Sequence, residues 1–252
     1  MTEVLLTALG VGGATVFGAA IGFLTKKMTH KYSDLATAFA AGVMLAAAFM
    51  GLILPSIEQG GKFGIAVTVA GVFVGAVCIN LADKLVPHLH RVAGADLEAH
   101  PENAGKIDKV LLFVLAIAIH NLPEGIAAGV SFGTGDVANA LTVAGGIALQ
   151  NIPEGMVIIS PMLSLGMKPG RVFLTAAATG LVEVAGTLIG YFAVSLAAWI
   201  LPFALAFAGG AMLYVISDEM IPETHGHGGQ RGASYALLGG FCLMLAVDFF
   251  LG

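Results

Sequence analysis

His120 and Glu124 stand four residues apart, and thirty residues later Gln150 and Glu154 repeat the spacing. The pairs lie in near-copies of one phrase, HNLPEG at 120–125 and QNIPEG at 150–155. On a helix, positions i and i+4 share a face, so each pair presents its donors together. Pro123 and Pro153 each lack a backbone N–H and crowd the carbonyl one turn back. That frees the carbonyls of Ile119 and Leu149, which a membrane tolerates where they line a cavity or a site. Gly125 and Gly155 follow the glutamates and admit a neighbouring helix closely. Imidazole with carboxylates suits a divalent transition metal such as zinc, iron or manganese, whereas an alkali-ion site has no use for the imidazole. Glu183, further along the chain, could complete the shell.

The elements that must position these groups follow from composition. Of 252 residues, 58% are hydrophobic and 11% charged. A soluble domain carries about 25% charged residues. So few could not cover a water-facing surface, and the class is an all-α integral membrane protein. The 35 glycines fit close approach of transmembrane helices. The net charge of −5 says little when lipid covers most of the surface. Cys78 and Cys242 both lie in apolar runs and imply neither a disulfide framework nor a thiolate metal site. The first apolar run is too long, and lacks the basic leader, for a cleavable signal peptide.

Charge-free runs of about 20 residues mark eight spans in one transmembrane domain, residues 1–252. They cover about 4–25, 35–57, 63–82, 110–132, 137–160, 171–195, 201–223 and 232–250. The run between Arg171 and Asp218 is too long for one helix and divides near Trp199 and Pro202, a pairing suited to a membrane interface. Connections are short except for the polar loop 84–109. Eight spans put both termini on one side. Lys26, Lys27, Lys31, Lys84, Arg91, Lys106, Lys109, Lys168, Arg171 and Arg231 fall in loops on the other side, and only Lys62 falls on the side of the termini. The positive-inside rule then places both termini outside and loop 84–109 in the cytoplasm.

Ionisable groups at membrane depth are costly and face an interior, a cavity or an ion. Here they are His120, Glu124, Glu154, Glu183, Asp218 and Glu219. The carboxylates of Glu124, Glu154 and Glu183 would repel one another, and His120 alone cannot balance them, so a cation is the natural resident. A single membrane histidine is commonly a hydrogen-bonding residue and a single proline a kink. Two copies of one Asn-x-Pro-Glu-Gly core on adjacent spans argue for a site. Asp218 and Glu219 lie within a turn or two of the cytoplasm, where solvation alone accounts for them. An intramembrane zinc protease would carry His-Glu-x-x-His, and a di-iron oxidase paired Glu-x-x-His. Neither occurs, which disfavours an enzyme. Carrier and metal-selective channel both remain open, since each needs a hydrated path lined with ligands.

HNLPEG, QNIPEG, Glu183, FAAGVMLAAAFMGLILP (39–55) and VISDEMIPETHGHG (215–228) together resemble the ZIP family of divalent metal transporters, in its bacterial form, over essentially the whole chain. The resemblance implies a binuclear site half-way through the membrane. One metal would be held by Met44, His120, Glu124, Gln150 and Glu154. The other would be held by Asn121, Glu124, Asn151, Glu154 and Glu183, with the two motif glutamates bridging. Many relatives have His where Gln150 stands and some have Asp where Asn151 stands, so the second motif is the weaker set of ligands. The resemblance also implies elevator-type alternating access, with spans one, four, five and six moving against two, three, seven and eight, and a homodimer.

The expected cargo is zinc, with iron, manganese and cadmium as further candidates, carried toward the cytoplasm of a cell whose inner membrane holds the protein. No resident cofactor and no nucleic acid is expected. Glu58 and Asp248 end spans on the outside and could gather cations at the mouth. On the inside Asp218, Glu219, Glu223, His225 and His227 line a way out, and His88, His90 and His100 in loop 84–109 could bind metal or hand it on.

Overall fold

The structure is a computed structural model that describes residues 1–25, 28–85, 106–164 and 166–251. The expected loop 84–109 falls almost wholly, and His88, His90 and His100 fall entirely, outside these residues. Among the described residues the chain is helical and has no strand. The helices are α1 (Thr2–Thr25), α2 (His30–Ala48), α3 (Leu54–Gln59), α4 (Gly64–Leu85), α5 (Lys106–Ser131), α6 (Val137–Val157), α7 (Ile159–Ser164), α8 (Pro169–Leu196), α9 (Leu201–Val215), α10 (Ile221–His225) and α11 (Gln230–Leu251). Seven runs among the described residues are long and apolar enough to cross a membrane, namely Thr2–Thr25, His30–Gln59, Gly61–Lys84, Val137–Ser164, Pro169–Leu196, Ala198–His225 and Gln230–Leu251. The protein is thus a multi-pass membrane protein. Helix α5, 26 residues long, lies among these runs and carries the first motif.

Local sequence explains the breaks. Backbone Ala197, at φ −139 and ψ 72, leaves the helical region, and a short 3₁₀ turn over Ala198–Ile200 leads to Pro202 in the first turn of α9. Asp136 caps α6, its Oδ1 accepting from the Asn139 backbone N–H at 3.1 Å. Two helical runs widen into π turns, Phe49–Ile53 and Ile216–Met220, and each precedes a proline in the next helix, Pro55 and Pro222. A proline ring displaces the carbonyl four residues back, and the widened turn takes up the displacement. Leu54 N–H accordingly bonds to the Phe49 carbonyl and Ile221 N–H to the Ile216 carbonyl, five residues back. Pro123 and Pro153, by contrast, sit inside unbroken helices.

Small residues face inward and large ones outward. Ala38, Ala40, Ala41, Ala46, Ala47 and Ala48 of α2 are fully buried, while Leu6, Phe17, Phe73, Leu174, Leu181 and Phe249 are exposed. Lipid offers apolar groups no reason to hide, so helix contacts rest on close packing of small side chains. Helix α5 packs on α8, α1 on α6 and α8, α2 on α11, and α4 on α9. The group of α1, α5, α6 and α8 meets the rest where α2 touches α6 and α9 touches α5.

Candidate metal centre

Glu183, at mid-length of α8 and 0% exposed, is the hub of the polar interior. Its Oε1 accepts from Thr15 Oγ1 of α1 at 2.5 Å and from Asn121 Nδ2 of α5. Its Oε2 accepts from Asn151 Nδ2 of α6 at 2.5 Å, and the same amide donates to the Val11 carbonyl of α1 at 3.2 Å. Four helices therefore converge on one carboxylate. Glycines let them come so close: a Cβ at Gly125 would stand 2.3 Å from the Glu183 carbonyl oxygen, and one at Gly155 2.2 Å from that of Thr15.

Glu124 lies within Coulombic reach of both Glu154 and Glu183. Glu183 accepts from two amides and one hydroxyl. Glu124 Oε2 and Asn151 Oδ1 are buried without a well-formed hydrogen bond among the described residues, and the Gln150 amide lies beside Glu124 in the same state. Such atoms are expensive to leave unsatisfied in apolar surroundings. Carboxylate and amide oxygens gathered this way form a donor set for a cation. Met44, 1% exposed, lies in the apolar cluster with Ala127, Ala128 and Ile147, where its thioether also fills core volume.

His120 is turned the other way along its helix. Its Nε2 stands 2.6 Å from Glu219 Oε2, and with Asp83 these residues form a group whose ligand atoms all lie within 4.8 Å of one another. His120 also lies within reach of Glu154. It therefore stands between two clusters, Glu124/Gln150/Glu154/Glu183 and Asp83/Glu219. Asp83 and Glu219 are buried, while His120 and Glu154 are partly exposed. Toward the opposite end of the bundle, Leu52, Val130, Val143, Leu205 and Ala208 are fully buried, in an apolar cluster that also runs past Met44 to Ile79, Ile216 and Met220.

The remaining expected residues divide. Asp218 and Glu223 are exposed beside buried Glu219. His225 Nδ1 bonds to the Ile221 carbonyl at 2.8 Å, and His227 Nδ1 lies 3.2 Å from Asp34 Oδ1. Glu58 is exposed at the end of α3 and Asp248 half-buried near the end of α11, both at the other end of the bundle from Asp83. Thr15 and Asp83 are the site residues that motif spacing does not single out. Thr15 gives no signal within its Gly/Ala run. Asp83 adjoins Lys84 and so reads as the edge of the polar loop, although an acid one turn inside an apolar run is a usable signal.

The family model described as ZIP Zinc transporter matches residues 95–248. The zinc transporter GufA of Myxococcus xanthus is 40% identical over 98% of this chain and 98% of its own. The zinc transporter ZIPB of Bordetella bronchiseptica is 38% identical over 95% of this chain and 78% of its own. The zinc transporter ZupT of Chlorobaculum parvum is 34% identical over 95% and 94%. The chain belongs to the ZIP family, whose members are metal transporters and not enzymes.

Proposed function

We propose that the protein carries zinc, with iron, manganese and cadmium as further candidate cargoes, toward the cytoplasm through a binuclear intramembrane site. The observation that carries this reading is the buried donor set without well-formed hydrogen bonds among the described residues, Glu124 Oε2, Asn151 Oδ1 and the Gln150 amide beside Glu124, next to a Glu183 held by three donors. Three carboxylates gathered at membrane depth call for positive charge, and the relatives named above are zinc transporters. Glu124 and Glu154 bridge the two ions; His120, Gln150 and Met44 complete one shell and Asn121, Asn151 and Glu183 the other.

Helix α5 is the fourth of eight spans in the single domain, and both termini face outward. The partly exposed His120 and Glu154 then open toward the cytoplasm, while the apolar cluster of Leu52, Val130, Val143 and Leu205 closes the outer side. Asp83, His120 and Glu219 form a station on the way in, with the imidazole passing metal from the first cluster to the second.

The distribution of glycines favours elevator-type movement. Backbone-to-backbone approaches occur within α1, α5, α6 and α8 at Gly12 on Gly180, Gly18 on Ile152, and Gly129 on Thr187. They occur again within the other group at Gly42 on Leu237 and Gly75 on Phe207. Across the boundary, the nearest atoms to Gly51, Gly133 and Gly146 are side-chain atoms, of Val143, Leu201 and Met244. Side-chain ends yield where packed backbones do not, so the four-helix group slides as a body against the rest. The static group forms a homodimer in the inner membrane.

Metal uptake by the purified protein in liposomes, with zinc, iron, manganese and cadmium compared in parallel, tests the reading. Saturable zinc flux with a strong temperature dependence supports a carrier. Non-saturating, weakly temperature-dependent flux would favour a metal channel, and absence of flux for all four metals would overturn transport.

A further inference from the structure

Asp83 and Glu219 come from different helices, and their meeting depends on how α4 sits against α9. The two backbones approach through glycines: a Cβ at Gly75 would stand 2.1 Å from the Phe207 carbonyl oxygen, and one at Gly210 2.3 Å from that of Val72. Polar side chains fasten both ends of this seam. At one end Ser56 Oγ of α3 bonds to Thr68 Oγ1 of α4 and donates to the Pro202 carbonyl of α9, each at 2.7 Å. At the other, beside Asp83, Asn80 Nδ2 of α4 donates to Tyr214 Oη of α9 at 2.5 Å. The Tyr214 phenol is also hydrogen-bonded to Asp218 and lies within Coulombic reach of Asp83. A phenol has one proton to give. It therefore accepts from the Asn80 amide and donates to the Asp218 carboxylate.

We infer that Tyr214 is a positioning residue of the transport path, its hydroxyl tying α4 to the π turn so that Asp83 and Glu219 stand in register. Asn80 lies one turn before Asp83 on α4, and Asp218 directly precedes Glu219 in the turn Ile216–Met220. A π turn holds one residue more than an α turn, so the direction of its side chains depends on how the turn is anchored. Consecutive helical side chains diverge by roughly 100°. With Asp218 held on the exposed side, Glu219 is committed to the buried side, where His120 Nε2 meets it. The inference rests on the proposed passage of metal through the Asp83, His120 and Glu219 station. A bond that only fastens α4 to α9, with no part in transport, is the competing arrangement.

Zinc flux into proteoliposomes, zinc affinity in detergent and melting temperature separate the two, measured on Tyr214→Phe, Glu219→Gln and the double variant. Tyr214→Phe keeps the ring and removes the hydroxyl. Maximal zinc flux should fall roughly tenfold, with the affinity of the intramembrane centre unchanged. Added to Glu219→Gln, it should cost nothing further, because the carboxylate it positions is already gone. A mere fastening would lower the melting temperature and give the same fractional flux loss with or without Glu219. Asn80→Leu, similar in size and without a donor, should reproduce the flux loss and decides the case if Tyr214→Phe misfolds. Wild-type flux in Tyr214→Phe, or equal fractional losses on both backgrounds, overturns the inference. Wild-type flux in Glu219→Gln would instead remove the station itself, and the role of Tyr214 with it.

Discussion

His120 Nε2 and Glu219 Oε2, 2.6 Å apart, join a helix of the four-helix group to the π turn of the other group. The residue that sequence spacing pairs with Glu124 thus reaches a carboxylate on the far side of the boundary. If His120 passes metal between the clusters, Glu219→Gln should slow release more than capture. We expect maximal zinc flux to fall roughly tenfold, the scale on which a carboxylate acts through a metal-binding imidazole. Equilibrium zinc affinity of the intramembrane centre should change much less. Unchanged flux in proteoliposomes would remove Glu219 from the path.

Glu124→Ala should abolish uptake while the protein still folds. Glu124 is 1% exposed, and no other carboxylate on α5 stands on the helix face shared by His120 and Glu124. Zinc affinity should fall by more than the roughly 10–100-fold typical of residues that only support a ligand. Near-normal flux in this variant would sink the mid-membrane site.

The glycine contacts give a matched pair on stability. Gly125→Ala puts a Cβ 2.3 Å from the Glu183 carbonyl oxygen, so α5 and α8 must part. Overpacking of this kind costs about 1–3 kcal/mol. Gly145→Ala, on α6, meets nothing within 4 Å and should be neutral or gain up to about 1 kcal/mol of helix propensity. Melting temperatures in one detergent should separate the two, with zinc binding also weakened in Gly125→Ala because Glu183 moves. Equal melting temperatures would contradict the tight packing around the hub.

The paired motifs and Glu183 are legible in the sequence because an ionisable group in an apolar run is too costly to face lipid and must turn to an interior, a cavity or an ion. Glu183 gathers Asn121 and Asn151, the residues that follow His120 and Gln150. What spacing does not convey is direction across helices. Positions i and i+4 share a face, but a helix face is broad, and the His120 ring reaches a neighbour that no sequence separation identifies. Asp83 and Glu219 come from α4 and the π turn before α10, 136 positions apart by number, and meet only through the packing of α4 on α9. The π turns are equally hidden: Pro55 and Pro222 are visible in the sequence, and their accommodation by a widened turn rather than a break is not.

Protons compete with metal for the carboxylates and the imidazole of the proposed centre, since these bind metal only when deprotonated. Lowering the external pH occupies those lone pairs and raising it frees them, so zinc uptake should weaken on acidification and recover on return. Initial rates measured with equal pH on both sides of the liposome isolate this effect. A rise in flux on acidification, without an imposed gradient, would contradict simple competition.

Gln150 holds the place in the second motif that His120 holds in the first, and it offers a neutral amide in place of an imidazole. Its side chain is 0% exposed and lies beside Glu124, within the proposed coordination shell. Gln150→His supplies a ligand with higher zinc affinity. A gain of about 1.4 kcal/mol in binding is a tenfold lower dissociation constant. Tighter binding of the resting ion does not lower the barrier to its release, because only interactions stronger in the transition state than in the ground state speed a step. Gln150→His should therefore bind zinc about tenfold more tightly and show equal or lower maximal flux. A titration and a flux assay on the same preparation measure both quantities. Unchanged affinity would take Gln150 out of the metal's coordination, and a parallel rise in affinity and flux would mean that capture, not release, limits transport.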